Sequence, residues 1–219
     1  MKRPRRTYLN PKSLSYIGIP KDMQNVKISD LNVPSEKYEK VVNYVSMYVS
    51  SLCSMSFEDF KDNYKGICFM GSNGTGKTLL ASLILKEAYA CRYSCRRITF
   101  TQYVSIYTEN WGNNEHSPLN PLTVDDVRNI EFLVLEEIGK EIDSKVTAPI
   151  LEDLLRYRED NGLVTIICTN SDVKSLTARY GESIMSLIAG ATTRITLTGT
   201  DFRKFADKSA MQGGLASAT

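Results

Sequence analysis

The segment Gly71-Ser72-Asn73-Gly74-Thr75-Gly76-Lys77-Thr78 holds the residues best suited to chemistry, and it satisfies the spacing of a glycine, four residues and then Gly-Lys-Thr. Glycines let the backbone curl so that successive N–H groups point inward at phosphate oxygens, and a following helix adds its positive N-terminal end. In such a loop Lys77 reaches the β- and γ-phosphates of a nucleotide, and Thr78 presents its hydroxyl to Mg2+. The flanks fit: the apolar run Ile67-Cys68-Phe69-Met70 leads straight in and an amphipathic segment leads out. A glycine-rich turn lacking this strand–loop–helix context would be plain turn chemistry.

Turnover of a nucleoside triphosphate also requires an acidic pair on a neighbouring strand, one residue on the metal side and one to polarise water. Phe132-Leu133-Val134-Leu135-Glu136-Glu137 supplies such a pair at the end of an apolar run. Glu136 takes the metal-side position and Glu137 the base position. A strand ending in solvated acids is the plain alternative, and the complete phosphate loop upstream favours the functional one. The next apolar run, Leu163 to Cys168, ends in Thr169-Asn170. The Asn170 amide there would orient the attacking water or touch the γ-phosphate, unless it serves only the turn.

These groups need a scaffold that brings strand ends together. Strands are expected at Gly66–Met70, Arg97–Thr101, Phe132–Leu135, Val164–Cys168 and Arg194–Leu197, with helical segments between them. That alternation predicts an α/β fold with a parallel sheet covered on both faces. Lys77–Ala90 places Leu80, Leu83, Ile84 and Ala88 on one side, and Ala148–Tyr157 does the same with Ile150, Leu151, Leu154 and Leu155. An earlier helix, with Ser35 as N-cap, lines up Tyr38, Val41, Val42, Val45 and Val49, and Tyr44 and Tyr48 widen that stripe as core. Glu109 to Pro121 is polar and turn-rich, which predicts a surface loop.

A length of 219 residues suits one domain, and no stretch approaches the roughly 18 apolar residues of a membrane span, which excludes a membrane protein. No secretory signal follows the basic start, so cytoplasmic residence is expected. Five of the 27 basic residues, Lys2, Arg3, Arg5, Arg6 and Lys12, form an arm without acids, leaving 22 basic against 25 acidic residues elsewhere. Such an arm either follows a phosphate backbone or is simply solvated. The five cysteines contain no Cys-x-x-Cys pair, which argues against a disulfide framework and against zinc.

Taken together, the motifs resemble the DnaC/IstB-like branch of the AAA+ ATPases, the bacterial and phage helicase loaders and their transposition relatives. The resemblance spans Ile17 to Arg203: Gly18-Ile19-Pro20-Lys21 at the start of the core, the phosphate loop, the acidic pair with Ile138-Gly139-Lys140-Glu141, the Arg156-Tyr157-Arg158 stretch, Thr169-Asn170, and a closing Gly199-Thr200-Asp201-Phe202-Arg203. It implies a P-loop three-layer sandwich around a parallel five-stranded sheet, of the AAA+/ASCE type, with little or no C-terminal lid domain. With the basic flexible arm over 1–16 and a Gly/Ala/Ser-rich flexible tail over 209–219, read from charge and composition, the ATPase core is expected over 17–208. ATP and Mg2+ are the implied cofactors. Gly71 through Leu79, with Arg203, would hold the nucleotide; Thr78 and Glu136 the metal; Glu137, Lys77 and Asn170 would act in hydrolysis. The implied partners are a replicative DNA helicase, single-stranded DNA and further copies of the chain in a nucleotide-dependent oligomer. An IstB-like helper on duplex DNA and a nucleotide-gated adaptor with little turnover are the alternatives.

Three departures from the family pattern carry expectations. Glu136 stands where the family usually has Asp, one methylene shorter, which bears on the metal position and on turnover. Leu187 stands where the family usually has an arginine that reaches a neighbouring subunit's nucleotide, which predicts slow hydrolysis unless Arg179 or Arg194 substitutes. Only the short arm precedes the core, so any partner would be met by the arm, the core surface or the tail. Among lesser candidates, Tyr103, Tyr107 and Trp111, near Arg96 and Arg97, either stack on bases or pack in the core. Arg156 and Arg158 either face solvent or contact DNA or a neighbouring subunit. His116 has no second ligand nearby.

Overall fold

The computed structural model describes residues 9–31, 33, 35–109, 122–141 and 144–199. The basic start of the arm, Trp111, His116, Arg203 and the tail lie outside the described residues. Five apolar runs form strands β1 (Gly66–Met70), β2 (Cys95–Thr99), β3 (Phe132–Glu136), β4 (Val164–Thr169) and β5 (Thr192–Thr196). All neighbours pair in parallel, in the order β2-β3-β4-β1-β5.

The runs are continuously apolar because both sheet faces are covered, and successive side chains point to opposite faces. Ile67, Phe69, Phe132, Val134 and Ile166 enter one core together with α1 (Pro11–Tyr16), α2 (Glu36–Ser54), α3 (Phe57–Asn63) and α4 (Lys77–Ala90). Cys68, Met70, Leu133, Leu135 and Ile167 enter the other, with α5 (Phe100–Glu109), α6 (Val124–Arg128), α7 (Ser144–Asp160) and α8 (Val173–Ala191). The result is the expected three-layer α/β sandwich. Among the described residues no helix is long and apolar enough to cross a membrane.

The bounds of β1 and α4 agree with the sequence, and the Ser35 side chain accepts from the Tyr38 N–H as the N-cap of α2. Tyr48 and Tyr103 are fully buried, which settles both as core. Strand β2 starts and ends two residues before the expected segment. Its end is set by a reciprocal cap: the Gln102 N–H donates to Thr99 Oγ1 at 3.1 Å and the Thr99 N–H donates to Gln102 Oε1 at 2.8 Å, which starts α5 at Phe100. Strand β5 likewise begins earlier, at Thr192, directly from the end of α8. Helix α7 extends beyond the expected Ala148–Tyr157 at both ends and runs through Pro149.

Two further expectations are corrected. Cys53 in the last turn of α2 and Cys91 at the C-cap of α4 form a disulfide, with their Cα atoms 6.0 Å apart. Which helix ends meet is a property of packing, so a 38-residue separation carries no sign of it. Glu87 is the third potential metal donor beside this pair, whose two sulfurs are joined to each other. Arg156 does face solvent, paired with Glu152 at 2.7 Å. Arg158 neither faces solvent nor is available to DNA or another subunit, because it is 1% exposed. Its guanidinium donates to Thr165 Oγ1 at 2.8 Å and to the carbonyls of Arg128, Ile130 and Val164 at 3.0, 2.7 and 2.7 Å. Burial pulls its pKa down to about 9, and those four acceptors hold the charge while tying the end of α7 to the starts of β3 and β4.

Candidate nucleotide site

Parallel strands deliver their C-terminal ends to one edge of the sheet, and the loops leaving those ends form a crevice there. The acidic strand is not next to β1. Strand β4 lies between β1 and β3, so the loop, Asn170 and the acid pair converge from three adjacent strands. Their meeting place is a cleft of about 180 Å3 lined by Met23, Asn73, Gly74, Gly76, Lys77, Thr78, Leu79, Glu136, Glu137, Lys140, Cys168 and Asn170.

The loop between β1 and α4 takes its shape from backbone that side-chain residues resist. Gly76 sits at φ +90°, and a Cβ there would stand 2.7 Å from the Tyr38 hydroxyl of α2. Thr75 is buried and its Oγ1 donates to the Ser72 carbonyl at 2.9 Å, closing the loop on itself. Lys77 opens α4, and its Nζ donates to the Gly71 and Ser72 carbonyls at 2.7 and 2.6 Å. The ammonium is thereby placed under the loop, at the positive end of the helix. Asn73, Gly74, Gly76, Lys77, Thr78 and Leu79 line the cleft, whereas Gly71, Ser72 and Thr75 do not.

Asn170 follows β4, and its Nδ2 donates to Asn73 Oδ1 at 2.7 Å, joining the third strand to the phosphate loop. Glu137 follows β3 at φ +62°, a left-handed conformation that is costly for a residue with a side chain and recurs at functional sites. Its N–H donates to the Cys168 carbonyl at 2.9 Å, which holds the strained peptide. Its side chain is 44% exposed, and Oε1 accepts from Lys140 Nζ at 2.6 Å. Burial, and then the carboxylate of Glu136, push the Cys168 thiol well above its ordinary value, so that cleft residue stays protonated.

Glu136 is 5% exposed. Arg97 Nη2 on β2 donates to its Oε2 at 2.8 Å, whereas Oε1 is buried with no hydrogen-bond partner among the described residues. A buried, partnerless carboxylate oxygen in a cleft with the Thr78 hydroxyl is a donor set of the kind a hard divalent cation takes, so these residues fit Mg2+.

Sequence reasoning missed Met23, Lys140 and Arg97 as site residues. Lys140 was visible only as part of the stretch after the acid pair, and Met23 only as a neighbour of Gly18-Ile19-Pro20-Lys21. Arg97 turns inward to Glu136 rather than outward to a base-stacking groove. Of the two candidate substitutes for an arginine at Leu187, Arg179 is engaged within the chain, its Nε on Glu141 Oε1 at 3.0 Å and its Nη2 on the Glu141 carbonyl. Arg194 is exposed on the edge strand β5, beside a second cleft against α8. Leu187 is half-buried against the second core.

The sheet order, the phosphate loop after β1 and the acids at the end of β3 define a P-loop nucleoside triphosphatase fold. A model of the ATPase family associated with various cellular activities (AAA) matches residues 67–182, and the chain belongs to that family. The replicative helicase loader DnaC of Escherichia coli (strain K12) is 27% identical over 188 residues, which cover 84% of this chain and 71% of that protein. A crystal structure of the DnaC helicase loader has a TM-score of 0.67 at 21% identity, covering 82% of this chain and 100% of that one. The replication initiator DnaA bound to AMPPCP and single-stranded DNA has a TM-score of 0.66 at 15% identity, covering 97% of this chain and 59% of that one. At these identities the two structures establish the shared fold.

Proposed function

We propose that this chain binds and hydrolyses ATP with Mg2+ and uses that cycle to load a replicative helicase onto single-stranded DNA. The observation that carries the reading is the convergence of the phosphate loop, the acid pair and Asn170 on one cleft, in a chain similar to a replicative helicase loader over 84% of its length. The fold shared with a DnaA structure that holds AMPPCP and single-stranded DNA supports the nucleotide and the strand type.

In this reading Gly71 through Leu79 hold the phosphates, and Lys77 exchanges its carbonyl contacts for phosphate oxygens. Thr78 and Glu136 would hold Mg2+, which supplies charge neutralisation between the phosphates. Glu137 takes a proton from the attacking water, and Asn170, already in contact with the loop, orients that water. Arg203 contributes to nucleotide binding from beyond the described residues. With Leu187 apolar and Arg179 bound to Glu141, turnover in the assembled protein is slow unless the exposed Arg194 substitutes. Partners reach the core surface, the part of the arm that precedes α1 or the tail over 209–219, and copies of the chain assemble in a nucleotide-dependent way in the cytoplasm.

Binding of labelled single-stranded and duplex oligonucleotides, measured at one fixed salt concentration with ATP, with ADP and without nucleotide, tests the reading. ATP-dependent preference for single strands is the expected result. Duplex preference would overturn it in favour of an IstB-like helper, and no binding in any state would leave a nucleotide-gated adaptor.

A further inference from the structure

Glu136 and Arg97 form a buried contact that phosphate-loop chemistry does not require, and Arg97 has a second partner outside the cleft. Residues Cys95, Arg97 and Thr99 alternate toward the same sheet face as Phe132, Val134 and Glu136. Arg97 lies opposite Val134 and Glu136 opposite Thr99, so the two charged side chains are diagonal neighbours. The pair closes because both are long. An aspartate at 136 would withdraw its carboxylate by about one C–C bond, ~1.5 Å, opening the 2.8 Å contact to beyond ion-pair range.

The same guanidinium reaches the segment that leads into the core. Arg97 Nη1 donates to the Gly18 carbonyl at 3.1 Å and the Arg97 N–H to the Ile17 carbonyl at 2.8 Å. Its neighbour Arg96 donates from Nη1 to the Tyr16 carbonyl at 2.5 Å and lies 4.9 Å over the Tyr16 ring. Three successive carbonyls, Tyr16, Ile17 and Gly18, are thus held by two successive arginines on the edge strand β2. Gly18 is fitted to this contact, since at φ +91° a Cβ would stand 2.5 Å from the Arg97 carbonyl oxygen.

We propose that Arg97 is a positioning residue that clamps the metal-side acid and the lead-in segment with one guanidinium, so that the docking of residues 16–18 and the metal affinity of Glu136 are coupled. The proposal rests on the reading of Glu136 as the Mg2+-side acid. Arg97 fixes Oε2 and leaves Oε1 for the cleft; without it the carboxylate rotates freely and loses that aim. Coupling is reciprocal: whatever lifts the lead-in segment weakens the metal site, and filling the metal site steadies the segment. A partner acting on the arm would in this way reach the nucleotide without touching it.

The test is the affinity for a fluorescent non-hydrolysable ATP analogue, with Mg2+ and with EDTA, beside amide hydrogen exchange at residue 97. Arg97→Met should cut the Mg2+-dependent gain in affinity about tenfold, leave the EDTA value unchanged and speed exchange of amide 97. Arg97→Lys should recover part of the gain, and Gly18→Ala should lower it from outside the cleft. In a Glu136→Asp background, where the clamp cannot close, adding Arg97→Met should change little. An unchanged Mg2+ gain in Arg97→Met, or in Arg97→Lys and Gly18→Ala should Arg97→Met fold poorly, would overturn the proposal. Loss of the EDTA affinity in Arg97→Met would also overturn it, by making Arg97 a nucleotide ligand. Failure of the underlying reading of Glu136 is distinguishable, because Glu136→Gln would then keep the full Mg2+-dependent gain in affinity.

Discussion

Replacing Lys77 with alanine is expected to weaken ATP binding by roughly 100-fold or more, while the circular dichroism spectrum and the unfolding midpoint stay near those of the unaltered chain. The size follows from removing one side of a charge-assisted contact in a partly desolvated cleft, which costs about 3 kcal/mol. The fold should tolerate the change because the Lys77 ammonium donates to two loop carbonyls, Gly71 and Ser72, at the rim of α4 rather than within either hydrophobic core. Water can replace it there. Titration of a fluorescent ATP analogue decides the matter, and unchanged affinity would mean that the phosphates lie elsewhere.

Glu137→Gln is expected to keep ATP binding within a few-fold and to lower turnover by about 10²–10⁴-fold, the range of general-base catalysis. Glutamine keeps the shape and the left-handed backbone at φ +62° but cannot accept a proton from water. The pair with Lys140 at 2.6 Å is half-exposed, so its loss costs little stability. Single-turnover phosphate release, with binding measured in parallel, separates the two effects. Near-normal turnover would move the base to another residue.

Much of this site was legible in the sequence because its parts are local. A phosphate loop must be contiguous, since adjacent backbone N–H groups form the cradle, and its strand and helix flanks are read from the same window. The strands were legible because burial on both faces removes polar positions from Phe132–Leu135 and Ile166–Cys168. Where a short capping interaction competes with strand propensity the boundary moved, as at Thr99 and Gln102. The short helices α1, α3 and α6 offered too few turns for a period to show.

The remainder is set by contacts between distant segments. Arg158 looks like any helix-surface arginine until the entrances to β3 and β4 are placed around it. Arg97 carries no local sign that it turns toward Glu136, 39 residues on, or toward Gly18. The Cys53–Cys91 bridge likewise depends on two helix ends meeting. Glu136 was visible as a departure from the family pattern, but its contact with the Arg97 guanidinium required the register of β2 against β3.

In the proposed cycle, ATP bound in this cleft drives the placement of a helicase on single-stranded DNA. A retention assay incubates the chain with a replicative helicase and a single-stranded DNA circle, and counts helicase retained on the circle with ATP, with ADP and with the Lys77→Ala chain. Retention that requires both the chain and ATP, and that is lost with Lys77→Ala, is the predicted result. Retention that is indifferent to nucleotide, or absent in every condition while the chain still binds ATP, would contradict it.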